Sequence, residues 1–393
     1  MAPPPLDETL AADHSTPLHD LSHRFWAVVI GIDAYPAEKG VLRGCVSDAA
    51  KVFGFLTKNL GVPTDHITLL LGTTTTARWS YNRTSGTARI TGQPATRTNI
   101  IDALLGLSTN SQIQKGDNII IYFSGHGTAY HCSDNPEYPS GSPASTGTIE
   151  ALCPMDRKAK GFTLKGRKAI PDISDRELYT ILAEISRTKG HHITVILDCC
   201  HSSGLTRHPQ GKGSEESPLL RSAKPLSAST SIADMFAAAD KRLGNFKNGS
   251  KPRYESISKG NWTPEIPVKT HVVLAACNAY EYAAEVEAVP TPADNLDSKS
   301  ERVTYNGYFT VALLATLKSV IRKPASLNDK LPSYFKLVED LVKKLKEIQP
   351  DGSSNQHPVV AGASMHEPLW YTGPNCGINC TESRSVPQGP VTN

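Results

Sequence analysis

Four continuous apolar runs constrain the fold of this 393-residue chain more than any other feature. They lie at 27–32, 118–123, 193–197 and 271–275, and a shorter run of the same kind lies at 67–71. Their apolar residues are continuous instead of alternating, which is typical of strands buried on both faces of a parallel sheet. The sequence therefore predicts a mostly parallel central sheet.

Helical patterns alternate with these predicted strands. Apolar residues recur at helical spacing at 48–60, 98–107, 175–185 and 334–348. Ser174 and Glu177 fit a capping box at the start of the third pattern. Alternating strands and helices imply right-handed crossovers with helices on both faces of the sheet, so the expected fold is a three-layer α/β/α sandwich. Ligands in such folds bind beyond the carboxyl ends of the strands.

Composition narrows the class of protein. Apolar residues make up 39% of the chain and the formal net charge is +3, so a large core is expected and neither nucleic acid nor an anionic membrane is an expected partner. No signal peptide or membrane-spanning run is visible. The eight cysteines are irregularly spaced, which favours reduced thiols in a cytoplasmic protein. Cys376 and Cys380 leave a zinc site open as the alternative to two incidental thiols.

Segment composition predicts five regions along the chain. They are a polar tail at 1–23, a large segment at 24–204, a flexible connection at 205–265, a small segment at 266–372 and a second tail at 373–393. The connection is rich in Ser, Lys, Gly and Pro. We expect the large and small segments to share one sheet.

Reactive side chains follow two of the predicted strands. His126 lies between glycines directly after one strand, and Cys200 follows another. A neutral imidazole can relay a proton at neutral pH, and a thiolate is a strong nucleophile. A histidine or cysteine of this kind is usually structural when it occurs alone. Because both lie at strand ends, the pair favours nucleophilic catalysis.

The chain resembles the caspase/metacaspase family of cysteine peptidases, and more its fungal and plant-like metacaspase branch, from about residue 25 to 372. The matching pieces lie at 28–35, 42–49, 123–127, 198–202, 274–278, 306–310 and 356–358. The Ser-Gly-His-Gly and Asp-Cys-Cys-His-Ser blocks are highly specific in this order. The resemblance implies a caspase-like fold and endopeptidase activity, with His126 and Cys200 as the catalytic dyad and the backbone N–H groups of Gly127 and Cys200 as the oxyanion hole.

The resemblance also implies an acidic pocket for the P1 side chain, the residue whose carbonyl is attacked. The matching positions are Asp48 and Asp198, with Ser124 and Cys45 lining the pocket. Two carboxylates would suit a guanidinium or ammonium group through charge-assisted hydrogen bonds, which implies cleavage after Arg or Lys. Asp48 also lies where a helix is expected to begin, and the helix dipole favours an acidic residue there. The two roles are compatible. The caspase signature QACxG is absent, which argues against cleavage after Asp.

One segment departs from calcium-dependent members of the family, which carry an Asp-Asp-Glu run where this chain has 172–177. Arg176 replaces one carboxylate there. The two interpretations are a helix start with surface charges and a weak calcium site, whose ligands would be Asp156, Asp172, Asp175 and Glu177. We therefore expect no required cofactor and keep calcium as the alternative, as an activator.

Function and partners follow from these patterns. Proteins or peptides with a basic P1 residue are the expected substrates, and the chain is expected to be a monomer. Self-processing is expected in the connection, which offers many basic residues, among them Arg207, Lys212, Arg221, Lys224, Lys241, Arg242, Lys247, Lys251 and Arg253. The alternative is that these residues only keep the connection soluble. The alternative function is a catalytically weak signalling or interaction module on the same fold.

Overall fold

The computed structural model describes residues 21–36, 42–73, 79–83, 86–90, 92–132, 147–158, 169–200, 220–226, 228–259, 262, 270–278, 281–288, 304–322, 331–349 and 356–371. The tails at 1–20 and 372–393, with Cys376 and Cys380, lie outside the described residues, as do 201–219 and 263–269.

Strands and helices follow one another along the described part of the chain. The strands are β1 (Phe25–Ile32), β2 (Ile67–Gly72), β3 (Trp79–Arg83), β4 (Gly86–Ile90), β5 (Gln93–Pro94), β6 (Asn118–Ser124), β7 (Gly127–His131), β8 (Thr148–Leu152), β9 (Ile173–Ser174), β10 (Ile193–Asp198), β11 (Lys247–Asn248), β12 (Lys251–Pro252), β13 (Val272–Ala275), β14 (Glu285–Ala288), β15 (Thr304–Gly307) and β16 (Val359–Ala361). The helices are α1 (Cys45–Lys58), α2 (Arg97–Thr109), α3 (Asp175–Lys189), α4 (Ala228–Leu243), α5 (Tyr308–Arg322) and α6 (Tyr334–Ile348).

A seven-stranded sheet forms the centre of the molecule. Its strand order is β16-β13-β10-β6-β1-β2-β5, and every neighbouring pair is parallel except β13 with β16. The five predicted strands all belong to this sheet. Strands β13 and β16 come from the second half of the chain, so both halves contribute to one sheet.

Helices cover both faces of the sheet. Residues alternate along β1: Val28 and Ile30 pack in one apolar cluster with residues of α2, α3 and α4. Ala27 and Val29 pack in a second cluster with residues of α1, α5 and α6. These two buried layers confirm the predicted three-layer α/β/α sandwich with a mostly parallel central sheet.

The segment 205–265 contains more structure than a flexible connection. In its described part, helix α4 buries Ile232, Met235, Phe236 and Ala239 in the same cluster as α2 and α3. The apolar residues at 232–239 therefore complete one face of the core, and for 228–243 the expectation of an exposed connection was wrong.

No helix in the described part of the chain is long and apolar enough to cross a membrane.

Candidate active site

The register of the central sheet brings the two predicted catalytic residues to neighbouring strand ends. In the parallel pair β6 and β10, Asp198 lies opposite Ser124. His126 and Cys200 each follow two residues later, so both leave the sheet at the same edge. Both side chains are buried.

Gly127 lies directly against this strand end. A Cβ atom at position 127 would lie 2.0 Å from the carbonyl oxygen of Cys200, so a side chain cannot be accommodated without moving the backbone. The glycine therefore allows β7 to begin beside the chain that carries the thiol.

Cys199 and Cys200 face opposite sides of the sheet. The side chain of Cys199 packs in the cluster formed with α2, α3 and α4, whereas that of Cys200 packs in the cluster formed with α1, α5 and α6. Of the two thiols, only that of Cys200 exchanges hydrogen bonds with Ala283. It donates to the Ala283 carbonyl oxygen (3.4 Å) and accepts from the Ala283 N–H group (3.1 Å).

A short stretch of the same chain, residues 220–226, lies across these strand ends, and we call it the crevice segment. Leu220 pairs with Ala284 in an antiparallel bridge. The Arg221 N–H group donates to the Ala283 carbonyl oxygen (3.0 Å), and the Ala223 N–H group donates to that of Gly127 (3.0 Å). The crevice segment is thus bound on both sides through its backbone, as an added strand is.

The carbonyl oxygen of Arg221 lies at the predicted oxyanion position. It accepts hydrogen bonds from the N–H groups of Gly127 and Cys200, each at 3.1 Å. These are the two donors that the family resemblance implies. A carbonyl held by two N–H groups is polarised toward attack at its carbon atom.

The side chain of Arg221 fills an acidic pocket. Its Nη2 atom lies 2.5 Å from Asp48 Oδ2 and 3.4 Å from Glu285 Oε1, and its Nη1 atom lies 2.6 Å from Asp198 Oδ2. All four side chains are completely buried. Burial lowers the pKa of Arg221, but the surrounding acidic groups, Asp198 first, raise it more, and the net shift is upward. The guanidinium therefore stays charged inside the protein.

Neighbouring groups orient the two predicted pocket carboxylates. Asp48 accepts from the Gly307 N–H group (2.8 Å), and Asp198 accepts from the Thr310 hydroxyl (2.6 Å). A Cβ atom at Gly307 would lie 2.4 Å from Asp198 Oδ2, so this glycine leaves room for the ion pair. Burial raises the pKa of Asp48 to about 7, with a further contribution from Asp198 and an opposing one from Arg221.

Glu285 is a third pocket carboxylate, and it is not among the residues predicted from the sequence. It comes from β14 and accepts hydrogen bonds from the N–H groups of Arg43 (2.9 Å) and Gly44 (3.0 Å). The predicted lining residue Cys45 places its Sγ atom 3.4 Å from Glu285 Oε1. Ser124, the other predicted lining residue, is fully buried beside Asp198 on the neighbouring strand. No pattern around position 285 distinguishes this glutamate from a surface acid.

Burial keeps both residues of the predicted dyad neutral while the crevice segment is in place. It raises the pKa of Cys200 to about 12. Burial, with the charges of Arg157 and Arg221, lowers the pKa of His126 to about 3. The His126 N–H group of the backbone donates to the Tyr35 hydroxyl (2.7 Å), and the two rings are in contact, with centroids 4.6 Å apart. A thiol and a neutral imidazole are therefore the resident forms in the closed crevice.

The four carboxylates considered for calcium do not converge. Asp172 forms a bidentate ion pair with Arg157, with N···O distances of 2.7 and 2.6 Å. Glu177 pairs with Arg97 (2.5 Å), and Asp156 accepts from the Arg97 N–H group of the backbone (2.8 Å).

Asp175 accepts from the N–H group of the next residue, Arg176 (2.7 Å). Within the described ranges, no group of three or more metal-binding side chains includes any of the four carboxylates. Arginines occupy the positions next to Asp172 and Glu177 that a cation would need, so these residues do not fit a calcium site.

Comparison with known proteins places the site within one family. The sequence profile described as "Metacaspase, peptidase C14 domain" matches residues 26–209. Metacaspase-1 of Saccharomyces cerevisiae is 28% identical over 208 residues, which cover 53% of this chain and 40% of the relative. Metacaspase-4 of Arabidopsis thaliana is 29% identical over 179 residues, which cover 46% of this chain and 34% of the relative. The chain thus spans less than half the length of these relatives.

Among solved structures, caspase-1 of Spodoptera frugiperda is 10% identical with a TM-score of 0.40, over 93% of this chain and 94% of that one. The family profile covers both strand ends of the candidate site, with His126, Gly127 and Cys200. The segment 26–209 belongs to the family of metacaspase, peptidase C14 domains.

Proposed function

We propose that the protein is a cysteine endopeptidase that cleaves after arginine or lysine, with Cys200 as the nucleophile and His126 as its acid–base partner. Arg221 carries this proposal. Its carbonyl oxygen is held by two N–H groups beside Cys200, and its guanidinium lies among three buried carboxylates. This is the arrangement that a P1 residue needs. Membership of the matched segment in a peptidase family supports it.

The chemistry follows from these positions. His126 takes the proton from the Cys200 thiol, and the sulfur attacks the P1 carbonyl carbon. The N–H groups of Gly127 and Cys200 stabilise the oxyanion that forms, by about 3–4 kcal/mol each. His126 then gives its proton to the leaving amine, which leaves an acyl-enzyme. Water hydrolyses the thioester and restores the thiol.

Charge explains the preference for a basic P1 residue. An incoming guanidinium or ammonium replaces Arg221 and satisfies the carboxylates of Asp48, Asp198 and Glu285 through charge-assisted hydrogen bonds. An aspartate at P1 would add a fourth carboxylate to a buried pocket, where like charges repel strongly. The pocket therefore selects for cations and against acids.

Self-cleavage is part of the same proposal. The bond between Arg221 and Ser222 is the peptide bond presented to Cys200, and Arg221 is one of ten lysines and arginines in the segment 205–265. While it is intact, the crevice segment blocks the pocket, so the uncut chain is expected to be a zymogen. No cofactor is required in this proposal. A cytoplasmic monomer without nucleic-acid or membrane partners remains the expected context.

Fluorogenic peptides ending in Arg, Lys or Asp test the proposal. We expect turnover of the Arg and Lys peptides, none of the Asp peptide, and no dependence on millimolar calcium. Cys200→Ala is the matched control and is expected to be inactive. Efficient cleavage after Asp, or activity that survives in Cys200→Ala, would contradict the proposal. No turnover of any peptide, by a chain that also stays uncut, would favour the interaction module instead.

A further inference from the structure

A second buried ion pair lies beside the active site, and, after burial, its arginine is one of the charges that lower the pKa of His126. Arg157 is 1% exposed and forms two hydrogen bonds with the Asp172 carboxylate, from Nε to Oδ1 (2.7 Å) and from Nη2 to Oδ2 (2.6 Å). The Tyr130 hydroxyl donates to the same Oδ2 atom (2.5 Å). Taking two charges out of water is costly, and the mutual attraction of such a pair often only offsets that cost. Stability alone therefore does not explain the cluster.

The cluster contacts the crevice segment downstream of Arg221. Arg157 Nη2 donates to the carbonyl oxygen of Lys224 (3.0 Å). The Leu226 N–H group donates to the Tyr130 hydroxyl (3.2 Å). Both contacts are made to the backbone, so they fix the position of the segment whatever its side chains are.

These contacts lie on the opposite side of the Arg221–Ser222 bond from those of Leu220 and Arg221. Upstream, the chain is fixed by the bridge from Leu220 to Ala284 and by the pocket. Downstream, it is fixed by Ala223 on Gly127, by the two contacts of the cluster, and by helix α4, which begins at residue 228. A cut after Arg221 would sever the link to the pocket but would leave the downstream contacts intact.

We infer that Arg157 and Tyr130, held by Asp172, form an anchor that keeps the downstream half of the crevice segment in the active site. The inference rests on the proposed function in one respect, namely that Arg221–Ser222 is the bond presented for cleavage. Arg157 and Tyr130 are positioning residues that act through the backbone of residues 224–226. One consequence is that a single cut after Arg221 leaves residues 222–226 beside Cys200, where they compete with substrates that extend past the cleaved bond.

Hydrogen exchange of the full chain carrying Cys200→Ala tests the anchor without self-cleavage. The readout is the exchange of a peptide spanning residues 220–226, which follows local opening of the segment. Two changes are compared in this background: Tyr130→Phe, which removes one oxygen, and the pair Arg157→Gln with Asp172→Asn, which leaves no unpaired buried charge. Arg187→Gln is the control, since Arg187 is half-exposed and pairs with Glu184 on α3.

The loss of a hydrogen bond from a charged donor is expected to speed exchange of this peptide about ten- to a hundredfold in the double variant. Tyr130→Phe is expected to speed it about fivefold, and Arg187→Gln is expected to leave it unchanged. A peptide spanning β1 reports on the fold and is expected to stay protected. Unchanged exchange of 220–226 in both anchor variants would overturn the inference. If the β1 peptide also exchanges faster in the double variant, the fold of that variant is disturbed, and the result for Tyr130→Phe alone decides whether the anchor exists.

A kinetic measurement separates the anchor from a merely structural role. After self-cleavage, anchor variants with an intact thiol are expected to show a lower KM for peptides that extend past the cleaved bond, with little change in kcat, because the competing segment leaves. The exchange experiment uses an inactive chain, so its result does not depend on peptidase activity. If the anchor variants exchange faster but the chain with an intact thiol hydrolyses no peptide, the anchor is supported and the proposed function is refuted.

Discussion

Replacing Arg221 by alanine is expected to abolish self-cleavage between residues 221 and 222. The change removes two short charge-assisted contacts, to Asp48 at 2.5 Å and to Asp198 at 2.6 Å, from a completely buried site. Hydrogen bonds to charged groups contribute about 1.5–3 kcal/mol each, so about 3–6 kcal/mol of binding to the pocket is lost. At a factor of ten for each 1.4 kcal/mol, the cut should slow about a hundred- to ten-thousandfold.

The assay follows the new N-terminus at Ser222 by intact mass and N-terminal sequencing during incubation of the purified chain. Arg221→Lys is the matched variant: it keeps the charge but loses the planar fork, so we expect a slower cut at the same bond. Cys200→Ala is expected to remain one chain. If Arg221→Ala is cut at wild-type rate, either after residue 221 or at the nearby Lys224, the pocket contacts of Arg221 do not select the bond and the reasoning is wrong.

Three further predictions concern the same site. Cys199→Ala should keep substantial activity while Cys200→Ala loses it, because the two thiols face opposite sides of the sheet; peptide turnover decides, and the reverse result would move the nucleophile. Glu285→Gln should lower kcat/KM for Arg peptides about tenfold, which is less than the loss expected for Asp198→Asn. The reason is that the Glu285 carboxylate lies 3.4 Å from the guanidinium of Arg221, whereas that of Asp198 lies 2.6 Å from it. A loss in Glu285→Gln equal to or larger than that in Asp198→Asn would show that distance does not determine how much each carboxylate contributes. KM for an Arg peptide should rise as the pH falls through about 7, because the raised pKa of Asp48 means that this carboxyl gains a proton and loses its charge there; a KM independent of pH would show that Asp48 stays ionised.

The strands, and the placement of His126 and Cys200 at one edge of the sheet, could be predicted because their signals are local. Strands buried on both faces must be continuously apolar, and a parallel register then brings the carboxyl ends of β6 and β10 together. His126 and Cys200 follow those ends by two residues each, so their shared edge was implied by the order of the strands alone.

The crevice segment and Glu285 could not be predicted in the same way. Glu285 meets Cys45 across 240 residues of sequence, and the meeting depends on how the β14–β15 hairpin lies against the start of α1. Arg221 looks like the other basic residues of a polar stretch, and only its place beside Cys200 distinguishes it. One short apolar stripe at 232–239 gives little sign of how deeply it is buried, so the sequence does not reveal that helix α4 belongs to the core.

Covalent labelling by a peptide that ends in an arginine chloromethyl ketone tests most directly whether Cys200 attacks the carbonyl of a basic residue. The described part of the chain contains six cysteines, so the label has several alternative targets. After self-cleavage, peptide mapping is expected to find one adduct, on Cys200, formed far faster than with the matching aspartyl ketone. An adduct on Cys199, or equal labelling by the arginyl and aspartyl reagents, would contradict the account.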